Sequence, residues 1–468
     1  METIEVPFHY FELETRWVHD QEQRLDARFY DEDAIAARVI IEKLEKKNVD
    51  IKSVDDFAVE VFWPGRFKRM YASKINGEPF IMPSEAVLFM PKSKKYISNY
   101  PKEVEIEKNW ILITRSGTVG RILLTTSLLS KYVLSDDLIR LIPESGRYGF
   151  IYAYLNSWIG QAFLAKDQYG STVKHIEPHH VSAIPIPYIP DLENEVEENI
   201  VNVQKLREEA QSLLQEAEEK IYSELNLPKI DEESVKYYGD DNGRKIKSFE
   251  LKKDELNFRL DASYHQPIIN QIERNLKKSK YDIHFLGDKT DKIYIPPRFK
   301  RPYVSSVENG VRYIRPSDIP LIKYFEKRYL AKEFRNSNLY KLNEGEILVV
   351  TDGTIGWASL VTPIISGFYG SNNFAHIHPK EDLNNGYLLA FLLSPYGQYQ
   401  LKREIFGGVI DHLVEDHIAQ VKIPLPPESI QKKIGNLVMK AYTKRDKANQ
   451  IEEESVKQIE KELKRLAE

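Results

Sequence analysis

Two short stretches interleave cations with aromatics, a combination suited to phosphate contact and base stacking. The first is Pro64-Gly65-Arg66-Phe67-Lys68-Arg69-Met70-Tyr71. The second is Pro296-Pro297-Arg298-Phe299-Lys300-Arg301-Pro302-Tyr303. In each, a proline-led turn delivers Arg-x-Lys-Arg. Read as a strand, the stretch alternates faces. Arg66 and Lys68 then share one face, as do Arg298 and Lys300, and these are the phosphate candidates. Phe67, Arg69 and Tyr71 share the other face, where Arg69 and Arg301 would pack beside the aromatics. One copy alone reads better as a solvated basic strand with core aromatics. Repetition favours a functional pair.

Other chemistry is sparse. Gly117-Thr118-Val119-Gly120 and Gly353-Thr354-Ile355-Gly356 are weak half-motifs for a phosphate cradle, and they read better as strand-to-strand turns needing positive φ. Both readings hold if the turn faces DNA. His175, His179 and His180 cluster, and His412 and His417 keep register with His175 and His180. A metal would need a third ligand in each copy, and Glu177 and Glu415 are poor ones; the flanking Ile176/Val181 and Leu413/Ile418 pattern reads as a packed edge. Asp136-Asp137 could act as an acid–base pair, but Asn372-Asn373 stands there in the second copy, which argues against duplicated catalysis. Gly-x-Ser-x-Gly, Gly-x-Gly-x-x-Gly and a phosphate loop ending in Gly-Lys-Ser/Thr are all missing. The expected contact set is Arg66, Lys68, Arg69, Lys74, Arg115 and Thr118, with Arg298, Lys300, Arg301 and Thr354. No catalytic and no metal-binding residue is assigned.

The elements that must position these residues are themselves repeated, so the chain is read first for its long period. Phe11-Glu12-Leu13 returns as Phe249-Glu250-Leu251, and Arg24-Leu25-Asp26-Ala27 as Arg259-Leu260-Asp261-Ala262. Asn76-Gly77 and Asn309-Gly310 each follow a basic aromatic run as hairpin-type turn signals. The buried-strand runs before the two glycine turns match, as do the closes Ile184-Pro185-Ile186-Pro187 and Ile423-Pro424-Leu425-Pro426. Each unit predicts a first helix (33–47 in the first copy), short strands, an aromatic-rich helix (150–164 and 387–401), and then a change of composition. From 191 to 225 there is no Gly or Pro, and Leu192, Val196, Val203, Leu206, Ala210, Leu213, Ala217, Ile221 and Leu225 step mostly by three or four. From 428 to 466, Ile430, Ile434, Leu437, Ala441, Ala448, Ile451, Ile459, Leu463 and Leu466 do the same. The first helix is strongly acidic and the second weakly basic, which favours their pairing with each other. Pairing with another chain stays open. The predicted domains are 1–190, a helix at 191–227, a connector at 228–247, a second globular domain at 248–427 and a helix at 428–468.

Composition narrows the class. The 468 residues are 42% hydrophobic and 29% charged, as in a globular protein of several domains. Cysteine is absent, so disulfides, thiolate metal sites and a Cys nucleophile are excluded, in keeping with a reducing compartment. No signal peptide or membrane span is visible, and a cytoplasmic location is expected. A net charge of −5 argues against a uniformly basic nucleic-acid binder and directs attention to local patches.

The two Arg-Phe-Lys-Arg-x-Tyr patches, the two Gly-Thr-(Val/Ile)-Gly turns and the Ile-Pro-(Ile/Leu)-Pro close before each long helix bring the chain to a known family. It resembles the specificity subunit of type I restriction–modification systems over nearly its whole length. The resemblance implies an α+β fold in which two pseudo-two-fold-related target recognition domains are separated by a pair of long antiparallel coiled-coil helices. It implies sequence-specific binding of double-stranded DNA at a split, asymmetric site, with each domain reading one half. It also implies two adenine-N6 methyltransferase (modification) subunits docked on the helical spacer, with restriction subunits beyond them. S-adenosylmethionine, Mg2+ and ATP would act in those partners, with no cofactor in this chain. In the family the close usually runs into a Gln-containing helix start. Gln431 supplies it in the second copy, whereas Glu193-Asn194-Glu195 stands in the first, so the docking surface there would differ. A coiled-coil scaffold for RNA or protein, and a stand-alone DNA-modifying enzyme, remain the alternative readings. Base-reading residues are expected where the copies differ most, in 73–108 and 305–343.

Overall fold

The structure, a computed structural model, describes residues 27–170, 172–232, 248–253, 259–305, 307–407 and 411–468, with isolated positions 15, 18, 235, 237 and 256. The landmarks Phe11-Glu12-Leu13 and Arg24-Leu25-Asp26, the connector from 238 to 247, and Ser171, Gly408 and Val409 lie outside the described residues. The chain divides into two units. Unit 1 is Met1–Pro83, Ser93–Val201 and Glu452–Glu468; unit 2 is Ser84–Lys92 and Asn202–Ile451.

In unit 1, helix α1 (Glu32–Lys46) forms where the sequence predicts it. Asp31 accepts a hydrogen bond from Glu32 N at 2.8 Å, and Glu32 and Asp33 open the first turn while Lys43 and Lys46 close the last, each sign suited to its end of the helix dipole. Ala34, Ala37, Ile41 and Leu44, spaced by three and four, form its buried face. The central sheet has the order β2 (Ala58–Phe62), β9 (Leu138–Pro143), β6 (Ile111–Thr114), β7 (Ile122–Leu124), all antiparallel. Strand β6 is a continuous apolar run because it is covered on both faces. A second sheet has the order β3 (Met70–Ala72), β5 (Lys95–Ser98), β4 (Glu78–Ile81), β8 (Val133–Leu134). The proline close becomes strand β10 (Pro185–Tyr188), paired only with β1 (Asp50–Ser53), where missing N–H groups are tolerated.

Unit 2 repeats this plan. Strands β12 (Thr290–Tyr294), β19 (Phe374–Pro379), β16 (Ile347–Val350) and β17 (Ala358–Leu360) form one sheet. Strands β13 (Tyr303–Val304), β15 (Tyr329–Ala331), β14 (Gly310–Ile314) and β18 (Tyr369–Gly370) form the other. Strand β11 (Ile283–Phe285) pairs with β20 (Lys422–Pro424). Unit 2 also takes in Ser84–Lys92 from the first repeat. There Phe89 N donates to Pro320 O (2.8 Å) and Ile322 N to Val87 O (3.0 Å), so that Leu88 bridges Leu321, the matching position of the second repeat.

Three expectations are corrected. The aromatic-rich segments are each two helices, α2 (Tyr148–Asn156) and α3 (Trp158–Lys166), then α4 (Asn385–Leu393) and α5 (Pro395–Arg403). The breaks are Ser157 (ψ 158) and Ser394 (ψ 160), extended residues that apolar periodicity does not register. The basic patches are strands only at their ends, with 63–69 and 295–302 outside any strand. Asn76-Gly77 and Asn309-Gly310 do not close hairpins. Strands β3 and β4 both pair antiparallel with β5 and so run parallel to each other, and β13 and β14 do the same about β15. The connecting loops cross instead. Glycine is required there, because a Cβ on Gly77 would sit 2.9 Å from Ala72 Cβ and one on Gly310 2.5 Å from Val304 Cγ2.

The long helices are α6 (Pro190–Leu225) and α7 (Glu428–Ala467). Pro190 occupies the first position, where a missing N–H costs nothing. Asn226, at φ 56°, ends α6; Leu227 N returns to Tyr222 O at 3.0 Å, and Pro228 prevents continuation. The two helices pack together and antiparallel. In unit 1 Gln458 donates to Glu195 (2.6 Å); in unit 2 Asn449 meets Arg207 (2.9 Å), Lys444 meets Glu209 (2.5 Å) and Lys433 meets Glu224 (2.6 Å). Most expected seam residues are buried, but Leu206, Leu213, Ile430, Leu437, Ile451 and Leu466 are only partly so. Gln204, Arg207, Gln211, Arg445, Asp446, Glu452 and Ser455 are buried instead. These helices also pack on globular elements, so their covered face is wider than a coiled-coil stripe.

Unit 1 depends on the last turns of α7. Glu452 accepts from Tyr152 Oη at 3.0 Å, Glu460 accepts from Trp158 N at 2.8 Å, and Ile459 and Leu463 are fully buried. Burial of each aliphatic side chain contributes about 1.5–3 kcal/mol. Truncation after Ile451 is expected to expose α2 and α3 to rapid proteolysis and hydrogen exchange while unit 2 keeps its protection. Unchanged exchange in α2 would contradict this.

Candidate nucleic-acid interface

Each basic patch leaves its β-strand partners and lies over the second sheet. In unit 1, Phe67 packs edge-on against Phe80 at 6.5 Å, within a cluster containing Ile97, Val104 and Val133. In unit 2, Phe299 stacks on Phe334 (5.3 Å) and meets Tyr340 (4.0 Å). These anchors turn the alternate residues outward. Arg66, Lys68, Arg298 and Lys300 are exposed and form no ion pair among the described residues, and the same holds for Lys74 in the following loop. Arg69 turns inward, 2.8 Å from Asp136 and 5.6 Å from the Phe80 ring centre. Arg301 does likewise, donating to Tyr313 Oη (2.7 Å) and Asn372 Oδ1 (3.0 Å), 5.6 Å from the Phe299 ring. Tyr71 and Tyr303 depart from the expected alternation, being 57% and 51% exposed.

The dipeptide Asp136-Asp137 links the patch to the glycine turn. Asp136 holds Arg69, and its carbonyl accepts from Trp63 Nε1 at 2.7 Å. Asp137 accepts from Ser116 Oγ at 2.6 Å, and Ser116 Oγ lies 2.7 Å from His175 Nδ1. In unit 2 Asn372 holds Arg301, and Asp352 contacts His412 directly. Arg115 is buried over the Trp63 ring (4.0 Å) and donates to Glu177 at 2.5 Å. Burial raises the Glu177 pKa, but hydrogen bonds from Tyr169 and Arg115 outweigh it and hold the carboxyl below its ordinary value. Burial lowers His180, which accepts from Glu177 N at 3.1 Å and lies 4.0 Å from His179, ring centre to ring centre.

The turns themselves are β6–β7 and β16–β17 connections. Gly117 and Gly120 have φ of 73° and 86°, and Gly353 and Gly356 have 78° and 88°. In each, the first glycine N–H donates to a neighbouring loop, Gly117 to Lys174 O and Gly353 to Asp411 O, both at 3.3 Å. Thr118 and Thr354 stand exposed at the tips.

Sequence reasoning missed the residues that brace these turns. Gln161 Nε2 donates to Gly120 O (3.1 Å) and Leu155 O (2.8 Å); Gln398 donates to Gly356 O (2.7 Å) and Leu392 O (2.8 Å). Their shared Gly-Gln setting, Gly160-Gln161 and Gly397-Gln398, was the available signal. Arg140 was also missed. It is fully buried, donates to Leu138 O (2.5 Å) and Ser135 O (3.2 Å), and is pushed down to about 10 by burial. Its signal is a lone charge within Leu138-Ile139-Arg140-Leu141-Ile142. Gln431 is buried and holds the residues that lead into α4, accepting from Asn384 N at 2.8 Å and donating to Asp382 O at 3.0 Å, so it does not present an outward docking surface.

Gln161→Ala and Gln398→Ala each delete two hydrogen bonds, and each is expected to lower stability by about 1–3 kcal/mol. Thermal unfolding measures the change, and faster amide exchange at the adjoining glycine turn locates it. Lower stability without faster exchange at the turn would show that the glutamine braces the helices alone.

The comparisons with known proteins bear on the whole chain. The family model for the type I restriction modification DNA specificity domain matches residues 44–221 and again 300–461. No curated protein matches. Among solved structures, the S subunit of a type I restriction–modification system from M. genitalium is 13% identical, with 90% of this chain and 96% of that chain covered and a TM-score of 0.36. The HsdS subunit from Thermoanaerobacter tengcongensis is 13% identical, with 89% and 95% covered and a TM-score of 0.28. A chain from a structure on complex assembly and conformational transition of the type I R-M system is 12% identical, with 89% and 96% covered and a TM-score of 0.26. Likeness at that level leaves the assignment resting on the family model. With two copies of the domain spanning most of its length, the chain belongs to the type I restriction–modification specificity family, whose members are non-catalytic DNA specificity subunits.

Proposed function

We propose that this DNA specificity subunit recognises a bipartite, asymmetric site on double-stranded DNA. In this reading 1–190 and 248–427 are two target recognition domains, with 191–227 and 428–468 as the spacer joined through 228–247. Two methyltransferase subunits dock on the spacer and restriction subunits join them. S-adenosylmethionine, Mg2+ and ATP act in those partners. The observation that carries the proposal is the duplicated basic patch. In both copies an aromatic anchor holds Arg-x-Lys outward, unpaired among the described residues, beside a braced glycine turn. Two such units with different side chains suit a non-palindromic split site better than one symmetric reader.

Arg66, Lys68, Lys74, Arg298 and Lys300 serve as phosphate contacts, with Thr118 and Thr354 at the turn tips. Arg69 and Arg115 lie behind the unit 1 contacts and Arg301 behind those of unit 2, with part of each guanidinium already bonded to protein.

Two measurements test this. Alanine at Arg66, Lys68, Arg298 and Lys300 together should weaken binding to all duplexes and flatten the dependence of log K on log salt by about 0.9 for each phosphate that is no longer neutralised. An unchanged slope would remove these residues from the interface. Deleting one heptad from both α6 and α7 shortens the pair by about 10 Å, so the preferred gap between half-sites should shrink by about three base pairs. Methylation mapping of cells carrying the variant reads that gap, and a fixed gap would defeat the spacer assignment.

A further inference from the structure

The crossing loop after each basic patch holds a side chain that the fold does not use. Ile75 is 85% exposed in the loop between β3 and β4, and Val307 is 64% exposed in the loop between β13 and β14. Both are β-branched aliphatic residues, and neither belongs to a hydrophobic cluster among the described residues. A single exposed aliphatic is ordinary. Here the same feature recurs in two diverged copies, in the loop that follows each pair of outward, unpaired cations. Lys74 adjoins Ile75, with Arg66 and Lys68 upstream; Val307 adjoins the exposed Glu308 and follows Arg298 and Lys300 within the same segment.

Charge decides what would cover such a residue. The core of a protein–protein interface is depleted of charge and collects its apolar residues into a patch. An aliphatic tip in the loop that follows a pair of outward cations fits a polyanion that also carries apolar groups. Duplex DNA is such a polyanion. Its major groove displays the thymine C5-methyl group, the one apolar mark by which a base pair is read there. The side chain is also stiff. A β-branched residue has few χ1 states, so it loses little entropy on contact.

We propose that Ile75 and Val307 are sequence-reading residues that contact thymine methyl groups in the major groove, one in each half of the site. This rests on the DNA-recognition reading above and adds to it the contacting residues and the feature they read. Differences between the copies then have a use: Ile and Val present different reach to their respective half-sites.

The test pairs a protein change with a one-methyl DNA change. Duplexes enriched from a randomised library by the full chain supply the probe, and each thymine in them is replaced in turn by deoxyuridine, which lacks only the C5-methyl. The expected result is one sensitive thymine in each half-site, with affinity reduced about fourfold when the methyl is removed. In Ile75→Ala one of these sensitivities should vanish, and in Val307→Ala the other. Val59→Ala, at a residue 71% exposed elsewhere in unit 1, should keep both. If duplexes are enriched but no thymine is uracil-sensitive, or if the sensitivity survives in the variants, the proposal is overturned while DNA recognition stands. If the variants instead lose affinity for the modification subunits with uracil sensitivity intact, the loops dock protein and the proposal is likewise overturned. If the full chain enriches no duplex, the underlying DNA reading fails with it.

Discussion

Unit 2 depends on a buried charge. Arg445 is 1% exposed on α7, bonded to Asp446 at 2.9 Å and lying 5.2 Å from the Phe89 ring and 4.6 Å from the Tyr442 ring. Asp446 in turn accepts from Thr362 Oγ1. One ion pair therefore ties the long helix to the Ser84–Lys92 segment and to the loop after β17. Burying ions costs more than their attraction alone returns, so such a pair is a weak source of net stability. Its effect is on register. Sliding α7 by one turn would carry the pair along intact but part Asp446 from Thr362 and Arg445 from Phe89, and loss of the hydrogen bond to the buried carboxylate alone would cost about 1.5–3 kcal/mol. The apolar seam has no comparable discrimination, since Leu, Ile and Ala repeat along it. If the helices act as a spacer, their length matters only when their register is single-valued, and the polar stretch supplies that condition.

The two repeats preserve bonds more faithfully than residues. Gln161 and Gln398 clasp the same glycine carbonyl, and Tyr154 and Tyr387 donate to Pro185 O and Pro424 O at 2.5 and 2.6 Å. Around this frame the side chains have drifted in compensated steps. Unit 1 sets Ser116 between Asp137 and His175, whereas unit 2 moves the carboxylate to Asp352, directly against His412, and has Asn373 in place of Asp137. At the centre of the main sheet, Arg140 donates to backbone carbonyls, and its counterpart His376 pairs with Glu346 at 2.9 Å. Burial opposes ionisation of Glu346, but the bonds from His376 and Asn343 prevail and hold it below its ordinary value. A frame fixed by backbone partners can carry different surfaces without refolding, as two readers of unlike half-sites require.

Much of this was legible in the sequence because it rests on order and period. The duplication, both long helices and the positive-φ glycine turns follow from residue types at fixed spacing. The errors lie where a single residue or a distant partner decides. Ser157 breaks a helix that apolar periodicity runs straight through. Asn76-Gly77 carries a hairpin signal, but β5 lies between β3 and β4, and strand order is not encoded in a local turn. Membership of Ser84–Lys92 in unit 2 depends on pairing with residues far along the chain. At the candidate site the outward cations were readable from alternation. The inward bonds of Arg115 to Glu177, and of Gln161 to the turn, were not, because both partners come from elements that meet only in the fold.

Net charge illustrates the same limit. An overall −5 argues against a nucleic-acid surface only if charges are spread evenly. They are not. The acidic excess is concentrated on α6, where Glu209 and Glu224 face Lys444 and Lys433 of α7. Inside the candidate surface, Asp136 and Glu177 are each held by an arginine. The outward cations of the patches, Arg66, Lys68 and Lys74 in unit 1 and Arg298 and Lys300 in unit 2, form no ion pair among the described residues. At physiological ionic strength, charges more than about 8 Å apart are largely screened from one another, so a phosphate at the patch responds to these cations and not to the carboxylates along the helices. An acidic protein can thus carry two basic patches, because much of its acidic excess lies on α6, where lysines of α7 meet it.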